Sequence, residues 1–297
     1  LEITLSGANF VSGASLVSLL PGIRVDSLGV KSSSVLGAKI TVAPDAVIGA
    51  RTILVSNPAP GGGSARLPHV LNVENGAPSA GSVSPSFALR GEGTALTING
   101  DNFYAGITSL DMGADIHVDS VWVESRSRLL AVVTPRIDAA TVLHDVRVTN
   151  PPPGGGIAVV NGGLAVLNPV PTLESVRPNR GERGKTTLVV ITGSRFVDRA
   201  TNVDFGEGIS LESLAVKSRS VIEARIAIGV ATGLGARSVR VINLLPGGGR
   251  AELMEGFVVV SGEVSSVAEK VGIIPSTFLL AEPYPNPFNS SLVIHFG

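Results

Sequence analysis

The chain has no cysteine, so neither a disulfide framework nor a thiolate metal site can be built from its 297 residues. Aromatic residues make up only 4%, with Trp122 the one tryptophan and Tyr104 and Tyr284 the two tyrosines. That is too few for the stacking platforms on which sugar and nucleic-acid recognition usually rest. Charge of one sign is missing as well: 23 Lys and Arg stand against 24 Asp and Glu, which removes the electrostatic reason to expect nucleic acid or anionic lipid as partner. No apolar run approaches the roughly 18 residues of a membrane span. Nor does any stretch of about 11 to 18 residues carry helical spacing between caps. His69, His117, His144 and His295 are scattered, and no G-x-S-x-G elbow accompanies them. The chain reads as non-enzymatic, with no cofactor.

What is present is glycine (36), proline (19) and abundant valine, the composition of short strands joined by tight turns. It is also repeated. VSNPAPGGG at 55–63 returns as VTNPPPGGG at 148–156 and VINLLPGGG at 241–249, so that Asn57, Asn150 and Asn243 lie 93 residues apart. Gly7, Gly100 and Gly193 open the turns GANF, GDNF and GSRF at the same spacing, each closing on Phe10, Phe103 or Phe196. A period this long is a whole domain rather than a solenoid unit. The expected organisation is 1–75, 76–168 and 169–261 as three copies of one fold, with 262–297 a linker and tail.

Within each copy the pattern is β. ALTINGDNF (95–103) and LVVITGSRF (188–196) are alternating strands ending in a Gly turn, and HDVRVTN (144–150) sets Val146 and Val148 on one face with Arg147 on the other. About seven short strands per copy, with turn signals between them, predict an all-β chain of tandem sandwiches. Copies two and three open with GSVSPSFALRGEG and ESVRPNRGERGK, for which copy one has no counterpart. Copy one is therefore expected to lack its opening strand. The numbering would then begin inside a longer polypeptide, or the strand would come from elsewhere.

The order V-x-P, Gly-rich turn, L-x-I-x-G-x-x-F, then V-x-N-P-x-G-G resembles the IPT/TIG family of immunoglobulin-like domains over residues 1–260. The third copy departs from it at Arg195, where the others have Asn9 and Asn102, and at Leu244-Leu245. After the polar linker SGEVSSVAEKVG, Tyr284-Pro285-Asn286-Pro287-Phe288-Asn289 precedes an alternating segment at 292–296. This is similar to the start of the C-terminal sorting domain of the type IX secretion system, with Ser290 where that family usually has proline. The resemblance implies export across the outer membrane of a Gram-negative cell, the tail engaging the secretion machinery.

Three stretches could carry chemistry. NRGERGKTT (179–187) ends like a phosphate-binding loop, but Asn179 replaces its first glycine and a strand follows where the motif needs a helix. The PGGG loops could aim N–H groups at an anion, yet a hairpin needing positive φ accounts for them. Asp115, His117 and Asp119, read as one face of a strand, could grip a divalent cation, but only the last acid recurs, as Asp26 and Glu212. A solvated strand face is the competing reading.

The functional expectation is a secreted or cell-surface rod of immunoglobulin-like domains, structural or adhesive, its partner a protein or cell surface. One alternative is a subunit of an extracellular filament, in which the strand at 292–296 of one copy completes the next. The other is a set of accessory domains of a larger secreted hydrolase.

Overall fold

The computed structural model describes residues 1–19 and 21–262, and there every regular element is a β-strand. The second copy shows the complete unit. Its strands are β7 (Ser79–Ser84), β8 (Phe87–Leu89), β9 (Thr94–Asp101), β10 (Ser109–Asp111), β11 (Ile116–Ser125), β12 (Arg128–Pro135), β13 (Leu143–Asn150) and β14 (Gly156–Leu167). They form two sheets, β7–β9–β12–β11 and β10–β13–β14–β8. All pairings are antiparallel except β8 with β14. Alternation decides which side chains face inward: Leu96 and Ile98 of β9, Leu129 and Val133 of β12, Val146 and Val148 of β13 and Leu164 of β14 meet in one core. Pro85 lies where the chain leaves one sheet for the other. Having no N–H, it cannot extend the β7 ladder, and β8 joins the opposite sheet.

The third copy repeats this arrangement. Its strands are β15 (Thr172–Arg177), β16 (Arg180–Glu182), β17 (Thr186–Ser194), β18 (Thr201–Asp204), β19 (Ile209–Ser218), β20 (Val221–Ile228), β21 (Gly235–Asn243) and β22 (Gly249–Val260). The sheets are β15–β17–β20–β19 and β18–β21–β22–β16. The stretch 179–187 thus runs from β16 through a turn at Gly184 into a strand, and no helix stands there to hold a phosphate.

The first copy has β1 (Glu2–Ser6), β2 (Leu16–Ser18), β3 (Ile23–Ser32), β4 (Val35–Val42), β5 (Gly49–Asn57) and β6 (Gly63–Val73), in sheets β1–β4–β3 and β2–β5–β6. Among the described residues the first copy shows no counterpart of β7 or β8, which belong one to each sheet. The fold is three tandem immunoglobulin-like sandwiches, the first without its opening strand. The consequence shows in burial. Phe103 and Phe196 are fully buried, as are Leu164 and Phe257, whereas their counterparts Phe10 and Leu71 are only partly covered.

Candidate functional site: the linker clamp

Copies two and three each bury one asparagine at the base of the PGGG hairpin, and its counterpart in copy one, Asn57, is partly covered. The Asn150 side chain is 1% exposed and that of Asn243 2%. A buried carboxamide must satisfy both ends, and this one does. Asn150 Oδ1 accepts from Thr108 Oγ1 at 2.7 Å, while its Nδ2 donates to the carbonyls of Asn102 and Gly76, each at 2.8 Å. Asn243 does the same with Thr201 Oγ1, Arg195 O and Pro169 O. Asn57 keeps the first two partners, Ser15 Oγ and Asn9 O. The hydroxyls in turn accept from backbone: Val11 N, Tyr104 N and Val197 N donate to Ser15, Thr108 and Thr201.

The third partner, Gly76 or Pro169, belongs to the linker that enters the copy from the one before. A second asparagine anchors that linker. Asn75 donates its backbone N–H to Pro153 O and its side-chain Nδ2 to Pro151 O, and its own carbonyl accepts from Gly155 N. Asn168 makes the same three bonds to Pro246 O, Leu244 O and Gly248 N. The hairpin is therefore more than a turn. Gly154 and Gly247 are glycine because a Cβ there would come within 2.5 and 2.6 Å of the Asn75 and Asn168 carbonyls. The PGGG loops form hairpins, as their composition predicts, and those of copies two and three also grip the chain arriving from the preceding sandwich.

The clamp sets the direction of the tandem. A linker enters at the hairpin end of a copy, and β14 runs from that end to Leu167 at the other, where the next linker begins. Entry and exit lie at opposite ends of each sandwich.

The second junction carries additional bracing. Glu92 Oε1 lies 2.8 Å from Arg195 Nε and 3.4 Å from Arg219 Nη2, and Arg219 Nη1 donates to Gly91 O at 2.5 Å. Arg195 occupies a left-handed backbone position that Asn9 and Asn102 fill more easily. Its side chain supplies what an asparagine could not, an ion pair to the preceding copy. At the first junction the counterpart of Arg219 is Arg126, which turns back onto Asn102 Oδ1 and the Tyr104 ring. Copy one has no described counterpart of Gly91 and Glu92 for it to reach.

A cleft of about 780 Å³ between copies two and three is lined by Arg90, Arg136, Asp138, Lys217, Arg219 and Leu245 among others. Its cations are already committed. Arg90 donates to Ala139 O and Asn168 Oδ1, and burial pushes its pKa below the ordinary guanidinium value. Arg136 pairs with Asp138, raising its own pKa and lowering that of the acid. Lys217 pairs with Glu223. The cleft is a braced joint.

Of the three candidate metal ligands the structure brings His117 and Asp119 together and places Asp115 off their strand. Asp115 lies in the turn before β11 rather than on the strand, its carboxylate accepting from Ala140 N at 3.1 Å. His117 is on the strand, 3.7 Å from Asp119, and Asp119 is the extra residue of a β-bulge between Val118 and Ser120. The period-two reading holds for His117 and Asp119, which share the exposed face, and it fails for Asp115, which precedes the strand. Among the described residues no group of three His, Asp or Glu is placed to hold a metal ion. The recurring acid marks that bulge instead. Thr41 Oγ1 donates to Asp26 at 2.6 Å, and Thr134 Oγ1 to Asp119 at 2.7 Å; the former bond, with Arg24 beside it, holds Asp26 below the usual carboxylate range.

Gly100 and Gly193, expected to open turns, lie instead near the ends of β9 and β17, pressed against the β7 and β15 backbones, and the chain bends two residues later at Asn102 and Arg195; Gly7 follows β1 directly. Sequence reasoning missed Ser15, Thr108 and Thr201 as the clamp's hydroxyls, and Asn75 and Asn168 as its pegs, although the 93-residue spacing holds for both sets. Tyr284, Pro285, Asn286, Pro287, Phe288 and Asn289 lie outside the described residues.

No family model matches the chain, and no curated protein matches it. Among solved structures it is similar to the Escherichia coli adhesin FdeC, with 15% identity, 86% of this chain and 88% of that one covered, and a TM-score of 0.26. It is similar also to an I-band fragment of titin, with 11% identity, coverages of 88% and 87%, and a TM-score of 0.34. For an ICAM-5 ectodomain fragment the values are 15%, 88%, 76% and 0.31. At such TM-scores these likenesses add nothing to what the strand order already establishes.

Proposed function

We propose that this chain is a non-enzymatic rod of IPT/TIG-type immunoglobulin-like domains, exported to the surface of a Gram-negative cell, where it serves as a stalk or adhesive spacer. One observation carries the reading: each linker is short and is anchored by Asn75 or Asn168 to the hairpin of the next sandwich, which supports sandwiches joined in series. Five residues, Glu74 to Pro78, separate β6 from β7, which leaves little chain to fold back. A twelve-residue strand such as β14 spans roughly 40 Å at about 3.3 Å per residue, so three copies in line reach roughly 120 Å.

Small-angle scattering of the isolated chain tests this. A rod of that length has a radius of gyration near ~35 Å, against about 19 Å for a globule of 297 residues. A value near the lower figure would overturn the rod. The export reading rests on Tyr284–Asn289 and their likeness to the sorting tail. Deleting 284–289 is expected to trap the protein inside a cell with that secretion system, and undiminished export of the variant would refute it.

A further inference from the structure

The one tryptophan of the chain is displayed rather than buried. Trp122 lies in the middle of β11 with 70% of its surface exposed. Val121 and Val123 pack against the core, so the indole between them stands on the outer face of the sheet β7–β9–β12–β11. The register sets it in one row with Leu130, Thr97 and Ser84 of the neighbouring strands. The row to one side holds Arg128, Asn99 and Ser82, all exposed. The row to the other holds Ser120, Val132 and Ala95. Trp122, Leu130 and Val132 thus form an apolar strip bordered by hydroxyls and an amide.

The fold does not require this strip, because the other two copies do without it. At the same three positions copy one carries Gly29, Gly37 and Lys39, and copy three carries Ala215, Glu223 and Arg225. Glu223 pairs with Lys217 and Arg225 with Glu212, which makes that face of copy three a charged, internally matched surface. Only copy two offers an indole to solvent there.

The chemistry of the strip narrows its occupant. Bulges at Asp119 and Glu124 interrupt the β11 edge on either side of Trp122, which keeps a further strand from pairing along it. The strip is about 14 Å across four strands and about 14 Å along them, roughly 200 Å², whereas a stable protein interface needs about 800 Å² from each partner. Arg128 is paired with Glu124 at 3.0 Å, and His117 lies 3.7 Å from Asp119, so the face has no spare charge for a phosphate or carboxylate. A quaternary ammonium needs several rings around it, and Trp122 is the one ring on this face among the described residues. An uncharged polymer with flat C–H faces and a rim of hydroxyls satisfies all of these conditions. A pyranose with equatorial hydroxyls covers an indole with its axial C–H bonds and turns its hydroxyls toward the polar rows. The Asn99 amide gives one N–H to Ser82 Oγ at 3.1 Å, which leaves its second N–H and its oxygen for such hydroxyls. The scarcity of aromatics excludes an array of stacking rings, but one ring is enough for one subsite.

We propose that copy two binds a neutral, equatorially substituted glycan on this face. Trp122 stacks on one pyranose ring, Leu130 and Val132 cover the C–H edge of its neighbour, and Asn99 bonds the hydroxyls. Copies one and three then act as spacers that hold copy two out on the rod. The inference deepens the rod reading, on which its adhesive use rests, and the two fail separately: scattering reports the shape whether or not a sugar binds.

Because Trp122 is the only tryptophan, the emission of the full chain reports the site directly. Titration with cellohexaose, laminarihexaose and mannohexaose should move that emission to shorter wavelength for at least one of them. The expected Kd is on the order of a millimolar, as for a ring stacked on an open surface. Hexagalacturonate, the charged control, should leave the emission unchanged. Trp122→Ala should weaken retention on the matching insoluble glycan about tenfold or more, and calorimetric melting should stay as in the parent chain. Leu130→Glu with Val132→Arg gives copy two the surface of copy three and should weaken binding several-fold while the tryptophan remains. No emission change with any of the three neutral sugars would overturn the proposal, as would retention indifferent to Trp122→Ala. A chain that binds none of them but self-associates in sedimentation until Trp122 is replaced would overturn it too, and would give the face to a second copy.

Discussion

Replacing Asn150 with alanine destabilises copy two by about 3 kcal/mol, the sum of three hydrogen bonds lost in a place that water does not readily reach. Thr108 Oγ1 loses its acceptor, and the carbonyls of Gly76 and Asn102 lose their donor. A buried orphan costs about 1–3 kcal/mol, and relaxation recovers part of the total. For a unit of this size that is a fall of roughly 15 °C in its melting transition, which calorimetry of the full chain resolves. Asn243→Ala should behave alike, since its three partners are equivalent. Asn57→Ala should cost about half as much, because that side chain is less buried and has no linker partner. The comparison separates the clamp from generic turn propensity. If all three substitutions cost the same, the linker bond contributes nothing and the clamp is only a hairpin.

The second large effect follows from close backbone contact. A Cβ on Gly100 would overlap the Ser79 carbonyl, and on Gly193 the Thr172 carbonyl, in both cases inside the ladder that carries the opening strand. The Phe103 and Phe196 ring edges lie at 2.6 and 2.7 Å from the same point. An aromatic ring can tilt away, but a ladder carbonyl can move only if β7 or β15 shifts with it. Gly100→Ala and Gly193→Ala should therefore cost about 3 kcal/mol or more. In hydrogen exchange, the amides of Ser79–Ser84 and Thr172–Arg177 should lose protection ahead of the rest of their sandwiches. Gly7→Ala is the control. Only the Phe10 ring edge, at 2.8 Å, stands in the way there, and the expected cost is about 1 kcal/mol. An equal loss at Gly7 would show that the turn alone, not the neighbouring strand, demands the glycine.

These two experiments address the parts of the molecule that were hardest to read beforehand. The sandwich was legible because its determinants are local. Alternation at Val146, Arg147 and Val148 names a half-buried strand from three residues, and the GDNF run names the bend that the chain makes at Asn102. The clamp was not legible. Asn150 contacts residues 42, 48 and 74 positions away, and no window of sequence holds all four. Asp115 departs from the face shared by His117 and Asp119 for a related reason: alternation orders side chains along a strand but does not say where the strand begins, and β11 begins at Ile116.

What the sequence determined by itself is the unit and its copying: valine alternation, glycine corners and a 93-residue period are properties of the chain before it folds. The tertiary structure decided the use of those corners. Only when two sheets close face to face does the PGGG hairpin lie beside the incoming linker, so that Asn75 and Asn168 find buried carbonyls to bind. A buried amide must be satisfied by whatever the fold brings near, and that neighbour is set by topology rather than by position along the chain.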